Sequence, residues 1–325
     1  MKILLADKFP VKHAEDLKNK GHEITSSPDL SADDLVAAIQ DNEVVVVRST
    51  KVTADAINAA SNLKMIIRAG AGYNTIDTET AASKNIPVCN TPGKNALAVA
   101  ELAFGLLLSI DRNIADNVIE MRNNNWDKKR FSKAQGIYGR TCGVVGLGQI
   151  GRAFADRAKA FGMKLYGYDI RQRIEQIQGE LDKMGMIGTS DLSEIAKNCD
   201  VISFHVPSIE ATKGMINKDF LANCQENAII LNSSRGNIVV DEDLIAAMNS
   251  KNIRAGLDVF NNEPTSGKDT INTELSQHPN VYGTHHIGAS TEQAQDAVAQ
   301  EVVNVINNLG QGTVINCVNL KAVPA

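Results

Sequence analysis

Short apolar runs alternate with segments of helical periodicity almost from one end of this chain to the other. A strand that is apolar on both faces must be covered on both, so the alternation predicts parallel βαβ units. Residues 3–6 read as the first strand, and Pro10 suits the first turn of a helix running to about residue 20. Ser31 followed by Asp34 has the spacing of a capping box that opens a helix over 33–41. The run Val44–Val47 has no polar face, which predicts a buried central strand. Thr53 can cap a helix over 54–60, residues 65–67 form the next strand, and Gly70 and Gly72 punctuate the loop after it.

A second series begins after the turn-rich residues 90–95. Its first member is a long Ala- and Leu-rich helix from 96 to about 111, of the kind that serves as a core or hinge helix at a domain boundary, and a polar stretch through 123–130 comes next. Residues 142–145, 164–168, 201–205, 228–232 and 253–257 then read as five more strands with helical segments between them. Two doubly wound, Rossmann-like parallel-sheet domains separated by a cleft account for the pattern. Near the carboxyl end, Ala294, Val298, Val302, Val305 and Ile306 line one face of a helix over 291–308. That piece is too small to fold alone, so it is expected to pack back onto the first domain. The expected division is a discontinuous domain of residues 1–94 plus 291–325 around a second domain of residues 95–290.

Composition narrows the partners. The 325 residues are 43% hydrophobic, 22% charged and 4% aromatic, which excludes a disordered, collagen-like or disulfide-scaffold chain. A formal net charge of -5 supplies no basic field for nucleic acid or an anionic membrane, so the expected partner is small. The five cysteines are scattered without CxxC or ligand-like spacing, which fits a reduced cytoplasmic chain with no metal site. The longest apolar stretch, residues 96–110, is interrupted by Glu101 and falls short of the roughly 20 residues that a membrane helix needs.

The sharpest motif is GLGQIG, which places Gly146, Gly148 and Gly151 between a strand and a helix. There each glycine has a reason: a tight turn, close approach to a pyrophosphate, and tight helix-to-strand packing. Asp169 ends the next strand, where an acidic residue can bond an adenine-ribose hydroxyl and disfavour a 2'-phosphate. The expected cofactor is therefore NAD, although Arg171 and Arg173 nearby leave NADP open. A second set lies at later strand ends: Arg235, Asp258, Glu263, and the pair His285 and His286 ahead of Gly288. An arginine can grip a carboxylate, a histidine can pass a proton near neutral pH, and a glutamate on its other nitrogen would fix the tautomer. These are the groups that oxidation of a 2-hydroxy acid requires. By type and spacing alone they fit solvated loops equally well.

Five stretches in this order, GLGQIGRAFADRAKAFGMKLYGYD, HVP, NSSRGNIVVDEDL, GLDVFNNEP and HHIGAST, resemble the D-isomer-specific 2-hydroxyacid dehydrogenase family. VRSTKVTADAINAA, RAGAGYNTID, NTPGKNALAVAEL and WDKKRF are similar to its phosphoglycerate dehydrogenase branch, in the short form without a regulatory domain. The resemblance implies that Arg235 binds the substrate carboxylate and polarises the reacting oxygen, that His286 is the acid/base, and that Glu263 orients it. His285 stands where the family usually has proline. Implied cofactor contacts are Gln149, Ile150, Asp169, His205, Val206, Pro207, Ser233, Ser234, Arg235, Asp258, His286, Gly288 and Ala289, beside the three glycines, with Ala71 near the nicotinamide. For the substrate the resemblance adds Gly70, Ala71, Gly72, Asn74 and Asn95, with Arg48 and Arg68 for a phosphate and Lys128 reaching in from a neighbouring subunit. The first domain would then bind substrate and the second NAD. The implied reaction is NAD-dependent oxidation of D-3-phosphoglycerate to 3-phosphohydroxypyruvate, at the entry to serine synthesis, by a homodimer or homotetramer. Alternatives are a glyoxylate or hydroxypyruvate reductase and a non-catalytic NAD-sensing interaction protein.

Overall fold

Central strands with two apolar faces require cover on both, and the structure, a computed structural model describing residues 1–28, 30–264 and 269–320, provides it twice. Contacts divide the chain into one unit of Met1–Asn95 with Ser290–Ala325 and a second of Ala96–Ala289. In the first unit the strands are β1 (Lys2–Leu5), β2 (Glu23–Ser26), β3 (Val44–Val47), β4 (Met65–Arg68) and β5 (Val88–Asn90), in the order β2-β1-β3-β4-β5. Every pairing is parallel. Successive residues of a strand face opposite sides, so Ile3, Leu5 and Val44 enter one core while Leu4, Val45 and Val47 enter the other. Helices Ala32–Ala38 and Ala54–Ala59 cover the second side through Leu35 and Ile57. The first side is covered by helix Glu292–Gly310, which buries Val302, Val303, Val305 and Ile306.

The second unit carries β6 (Thr141–Val145), β7 (Lys164–Tyr168), β8 (Met186–Thr189), β9 (Val201–Phe204), β10 (Ile229–Asn232), β11 (Arg254–Leu257) and β12 (Val281–Gly283). Their order is β12-β11-β10-β9-β6-β7-β8, again all parallel. Helix Ala96–Arg112 belongs to this core, where Ala103, Phe104, Leu107 and Ile110 share a cluster with Phe154 and Leu231. The sheets are thus doubly wound, as the alternation of apolar runs implies. No helix among the described residues is long and apolar enough to cross a membrane.

Local signals act where expected. Ser31 Oγ accepts the Asp34 N–H at 3.1 Å while the Asp34 carboxylate accepts the Ser31 N–H, which completes the capping box. Thr53 Oγ1 caps the next helix through the Ala56 N–H at 3.3 Å. Four strands, β2, β5, β8 and β12, have no counterpart in the sequence expectations, and each lies at a sheet edge. An edge strand pairs on one side only and needs no continuous apolar run. In β2, EITS, only Ile24 is even half-buried, and β5 is three residues long.

In each sheet the chain reverses direction once, between β1 and β3 in the first and between β6 and β9 in the second. Loops leaving adjacent strands diverge there, which opens a crevice at the carboxyl ends.

The role of helix Glu292–Gly310 is checked by chemical denaturation. Ile306 is fully buried, so Ile306→Ala is expected to lower stability by about 2–5 kcal/mol. Gln300→Ala, on the exposed face of the same helix, is expected to change it by less than about 0.5 kcal/mol.

Candidate active site

At the reversal point of the second sheet, the Gly146 N–H donates to Tyr168 O at 2.8 Å and the chain turns into helix Gln149–Ala160. A Cβ on Gly151 would lie 2.0 Å from Gly146 O, and one on Gly146 would lie 2.6 Å from His205 O. Neither position tolerates a side chain. Gly148, the N-terminal cap of the helix, faces open space, and no side chain caps the first-turn N–H groups. Those donors and the positive end of the helix dipole form an anion site. The Asp169 carboxylate stands beside it, accepting the Leu147 N–H at 2.9 Å and the Ile170 N–H at 2.8 Å.

Two buried polar atoms at the carboxyl ends of β9 and β10, His205 Nδ1 and Ser233 Oγ, have no partner among the described residues. With the uncapped helix and the open space at Gly148, they make a set of donors and acceptors that fits a dinucleotide. His205 itself is no proton shuttle. Burial pushes its ring down to about 3, Nε2 meets Ser203 Oγ at 2.8 Å, and the ring packs 5.3 Å from that of Phe154. Val206 is buried and Pro207 exposed; Gln149 is exposed and Ile150 half-buried at the start of the helix.

Three neighbouring strand ends bring Arg235, Glu263 and His286 together. Asn232, the last residue of β10, accepts the Ser234 N–H at 3.0 Å and the Ser234 hydroxyl at 2.9 Å, and donates to Arg235 O at 2.9 Å. That amide folds the loop on which Arg235 sits. Burial lowers the guanidinium pKa while Glu263 opposes the shift, and Arg235 Nη1 donates to Ser234 O at 2.6 Å. The group stays charged at any working pH. A Cβ on Gly236 would lie 2.1 Å from the carbonyl carbon of Phe260 and 2.5 Å from Asn261 N, so glycine is what lets this loop press against the next.

Glu263 accepts the Phe260 N–H at 2.9 Å through one oxygen and meets His286 Nδ1 at 2.7 Å through the other. Burial by itself raises its pKa, but the bonds from His286 and Phe260, with the charges of His286 and Arg235, outweigh it and hold the carboxyl below the usual glutamate range. With Nδ1 donating to that carboxylate, Nε2 is the His286 nitrogen left to accept a proton. The His286 side chain is 51% exposed, and His285 is exposed as well; it is His286 that meets Glu263.

Asp258, expected among the cofactor contacts, has both oxygens engaged by the histidine loop. One accepts Thr284 Oγ1 at 2.6 Å and the Ile287 N–H at 2.8 Å, and the other accepts the Gly288 N–H at 2.8 Å. The His286 N–H donates to Asp258 O at 2.8 Å, and His286 adopts a left-handed φ of 52°. Gly288 is buried and Ala289 half-buried behind it.

The remaining substrate candidates belong to the first unit, except Lys128. Arg48 follows β3 at that sheet's reversal point, where Asp7 folds its loop: Asp7 accepts the N–H groups of Arg48, Ser49 and Thr50 at 2.6, 3.1 and 3.1 Å and the Ser49 hydroxyl at 2.8 Å. Burial raises the Asp7 pKa, and these bonds outweigh it to leave the carboxyl below its usual range. Arg48 Nη2 donates to Ser290 Oγ at 3.3 Å. Arg68 ends β4 and donates to Ala69 O at 3.3 Å, while Asn90 Nδ2 braces the 70–72 loop through Ala71 O at 2.7 Å. Ala71, Gly72 and Asn95 are half-buried, Gly70 is buried and Asn74 is exposed. Lys128, in the second unit, is exposed at the start of helix Lys128–Phe131; its neighbour Arg130 pairs with Glu120 at 3.1 Å. Asp7, Asn90, Asn232 and Gly236 escaped the sequence reading. The signal was there: a short polar residue or glycine at or just past a strand end, beside a candidate already chosen.

The family model of the D-isomer specific 2-hydroxyacid dehydrogenase NAD binding domain matches residues 104–288. The chain belongs to the D-isomer specific 2-hydroxyacid dehydrogenases. Its cofactor is NAD. The D-3-phosphoglycerate dehydrogenase of Methanocaldococcus jannaschii is 39% identical over 328 residues, an alignment covering 100% of this chain and 60% of that relative. A hydroxypyruvate reductase of Thermotoga maritima is 41% identical over 292 residues, covering 89% of this chain and 92% of that one. Among solved structures, the D-lactate dehydrogenase of Aquifex aeolicus complexed with NAD and lactic acid matches with a TM-score of 0.82 at 26% identity, covering 99% of this chain and 100% of that one.

Two measurements check the candidate site. Gly236→Ala is expected to lower kcat/KM for reduction of a 2-oxo acid by about 100-fold or more with an unchanged circular dichroism spectrum, because an ångström of displacement at Arg235 and Glu263 suffices. Glu263 has a lowered folded-state pKa, so its contribution to stability is present above its unfolded value near about 4.3 and is lost as pH falls through the folded one. The difference in thermal midpoint between wild type and Glu263→Gln should therefore shrink between about pH 6 and about pH 3.

Proposed function

We propose that this dehydrogenase oxidises D-3-phosphoglycerate to 3-phosphohydroxypyruvate, the step that opens serine synthesis. What carries the reading is that the likeness to a D-3-phosphoglycerate dehydrogenase runs through the whole chain, including the first unit with Arg48 and Arg68 at its strand ends. In this reading the first unit binds substrate and the second binds NAD.

Arg235 pairs with the substrate carboxylate and polarises the C2 oxygen. His286 Nε2 takes the C2 hydroxyl proton, and the Glu263 carboxylate on Nδ1 stabilises the imidazolium that forms. Bound NAD supplies the hydride acceptor for C2. The proton leaves His286 for solvent, to which its half-exposed ring has access. Arg48 and Arg68 hold the phosphate, a dianion that a neutral lining would not favour. The same residues run the reduction in reverse, with His286 donating the proton to the carbonyl oxygen.

The reading includes a homo-oligomer. Ile114, Val118 and Met121, at i, i+4 and i+7, share an exposed face of helix Ile114–Arg122, Ile119 is exposed to one side of them, and Trp126 beyond the helix is 79% exposed.

A second reading, hydroxypyruvate reduction, has its own support, since the chain spans nearly the full length of a relative of that name. NADH consumption with 3-phosphohydroxypyruvate, hydroxypyruvate and glyoxylate side by side separates the two. The proposal expects kcat/KM at least about tenfold higher with the phosphorylated acid, a preference of about 1.4 kcal/mol, and its loss in Arg48→Ala. An equal or better rate with hydroxypyruvate overturns the substrate assignment and favours the second reading.

A further inference from the structure

The structure brings Cys89, the middle residue of edge strand β5, opposite Cys317 in the carboxyl-terminal segment. Both belong to the first unit. The Val318 N–H donates to Val88 O at 2.8 Å and the Asn90 N–H donates to Asn316 O at 3.2 Å. These bonds flank the two cysteines in an antiparallel bridge, so Cys89 and Cys317 form its non-hydrogen-bonded pair. That position holds Cα atoms about 4.5 Å apart with side chains on the same face, inside the window of roughly 4.4–6.8 Å that a disulfide accepts. The segment is anchored further by Asn319, whose side chain accepts the Val88 N–H at 2.8 Å and donates to Ile86 O at 2.9 Å.

We propose that Cys89 and Cys317 are a redox site: a dithiol that a small-molecule disulfide such as glutathione disulfide converts to an intramolecular disulfide, fastening the carboxyl-terminal segment to the edge of the first sheet. The Cys89 thiol is buried and in hydrogen-bonding contact with Cys317, whose own side chain is partly accessible. Cys317 is therefore the attacking group. Its thiolate displaces one glutathione thiolate and forms a mixed disulfide; Cys89 Sγ, losing its proton, then displaces the second glutathione from Cys317 Sγ. Two protein thiols are oxidised, one glutathione disulfide is reduced, and the two protons end on the released glutathiones. Burial, with Cys317 adding to it, pushes the Cys89 thiol up to about 12, which makes the second displacement the slow one.

Cys142, Cys199 and Cys224 are all buried in the second unit with their thiols pushed up by burial, so none of them offers an accessible attacking thiol as Cys317 does. A metal is no rival for the pair, because no group of three or more His, Cys, Asp or Glu among the described residues is placed to hold one.

The test equilibrates the full-length native protein with glutathione disulfide, then alkylates it under denaturing conditions. The reduced chain takes label on all five cysteines. The oxidised chain is expected to lose two of those five, to yield a peptide joining positions 89 and 317 on a non-reducing map, and to regain both labels on reduction. Its thermal midpoint should rise by about 3 °C or more, since the bond closes a long loop of the unfolded chain. Cys317→Ser, at a partly exposed position, is expected to keep all its remaining labels and to show no midpoint shift. Cys89→Ala, if it folds, should behave the same way. Retention of five labels by wild type, a lasting glutathione adduct without an internal bond, or a cross-link between any other pair overturns the proposal.

Discussion

A single buried carboxylate holds the candidate site of the second unit in shape. Asp258 is 1% exposed, and its two oxygens accept one hydroxyl and two backbone N–H groups from residues 284–288, while its carbonyl accepts the His286 N–H. The carboxylate is the buried partner, and leaving it without those donors would cost about 1–3 kcal/mol for each bond unmade. The bonds hold the loop where His286 sits at positive φ and meets Glu263. A residue in that backbone region is uncommon unless its surroundings over-determine it, and here Asp258 does so.

The same device recurs through both sheets. A parallel strand ends at the rim of a buried layer, where the next residues must leave the ladder and find new hydrogen-bond partners. Short polar side chains at that rim provide them. Asp7 gathers the N–H groups of Arg48, Ser49 and Thr50, Asn232 closes the loop of Arg235, Asn90 holds Ala71, and Asp169 reaches back to Leu147 in the glycine-rich turn. The long side chains proposed to touch substrate thus stand on loops whose backbones are fixed by neighbours too short to reach a ligand. Rigidity of the site comes from carboxylates and amides of two or three heavy-atom reach, and the proposed chemistry from arginine, glutamate and histidine.

Much of this was legible in the sequence. Interior strands such as Val44–Val47 announce themselves because both faces must be apolar, and the caps at Ser31 and Thr53 are local arrangements of a few residues. Edge strands are a different matter: Glu23–Ser26 pairs on one side and carries polar residues on its open faces, so no run betrays it. The GLGQIG turn was legible as a local motif, and the approach of Gly151 to Gly146 O lies within its six residues, whereas the collision that demands glycine at 146 is with the distant His205. Asp258 was found as a site residue and read as a ligand contact, since residue type cannot distinguish a carboxylate that binds from one that braces. Of the doubled histidine the resemblance pointed to His286, and it is that ring which meets Glu263. Cys89 and Cys317 adjoin through a bridge between distant segments, and spacing along the chain carries no trace of it.

The first unit is interrupted in sequence, and this shapes how the chain can reach its native state. Its sheet is synthesised before the second unit, yet one face of that sheet, bearing Ile3, Leu5, Val44 and Met65, is covered by Glu292–Gly310, which is made after it. The second unit, continuous from Ala96 to Ala289, emerges whole before that helix exists. During synthesis the order of folding is then inverted, with the later unit able to close first while the earlier one waits with a bare apolar face and an open edge. Such contacts between distant parts of a chain form slowly, and a nascent sheet of this kind is what general chaperones bind.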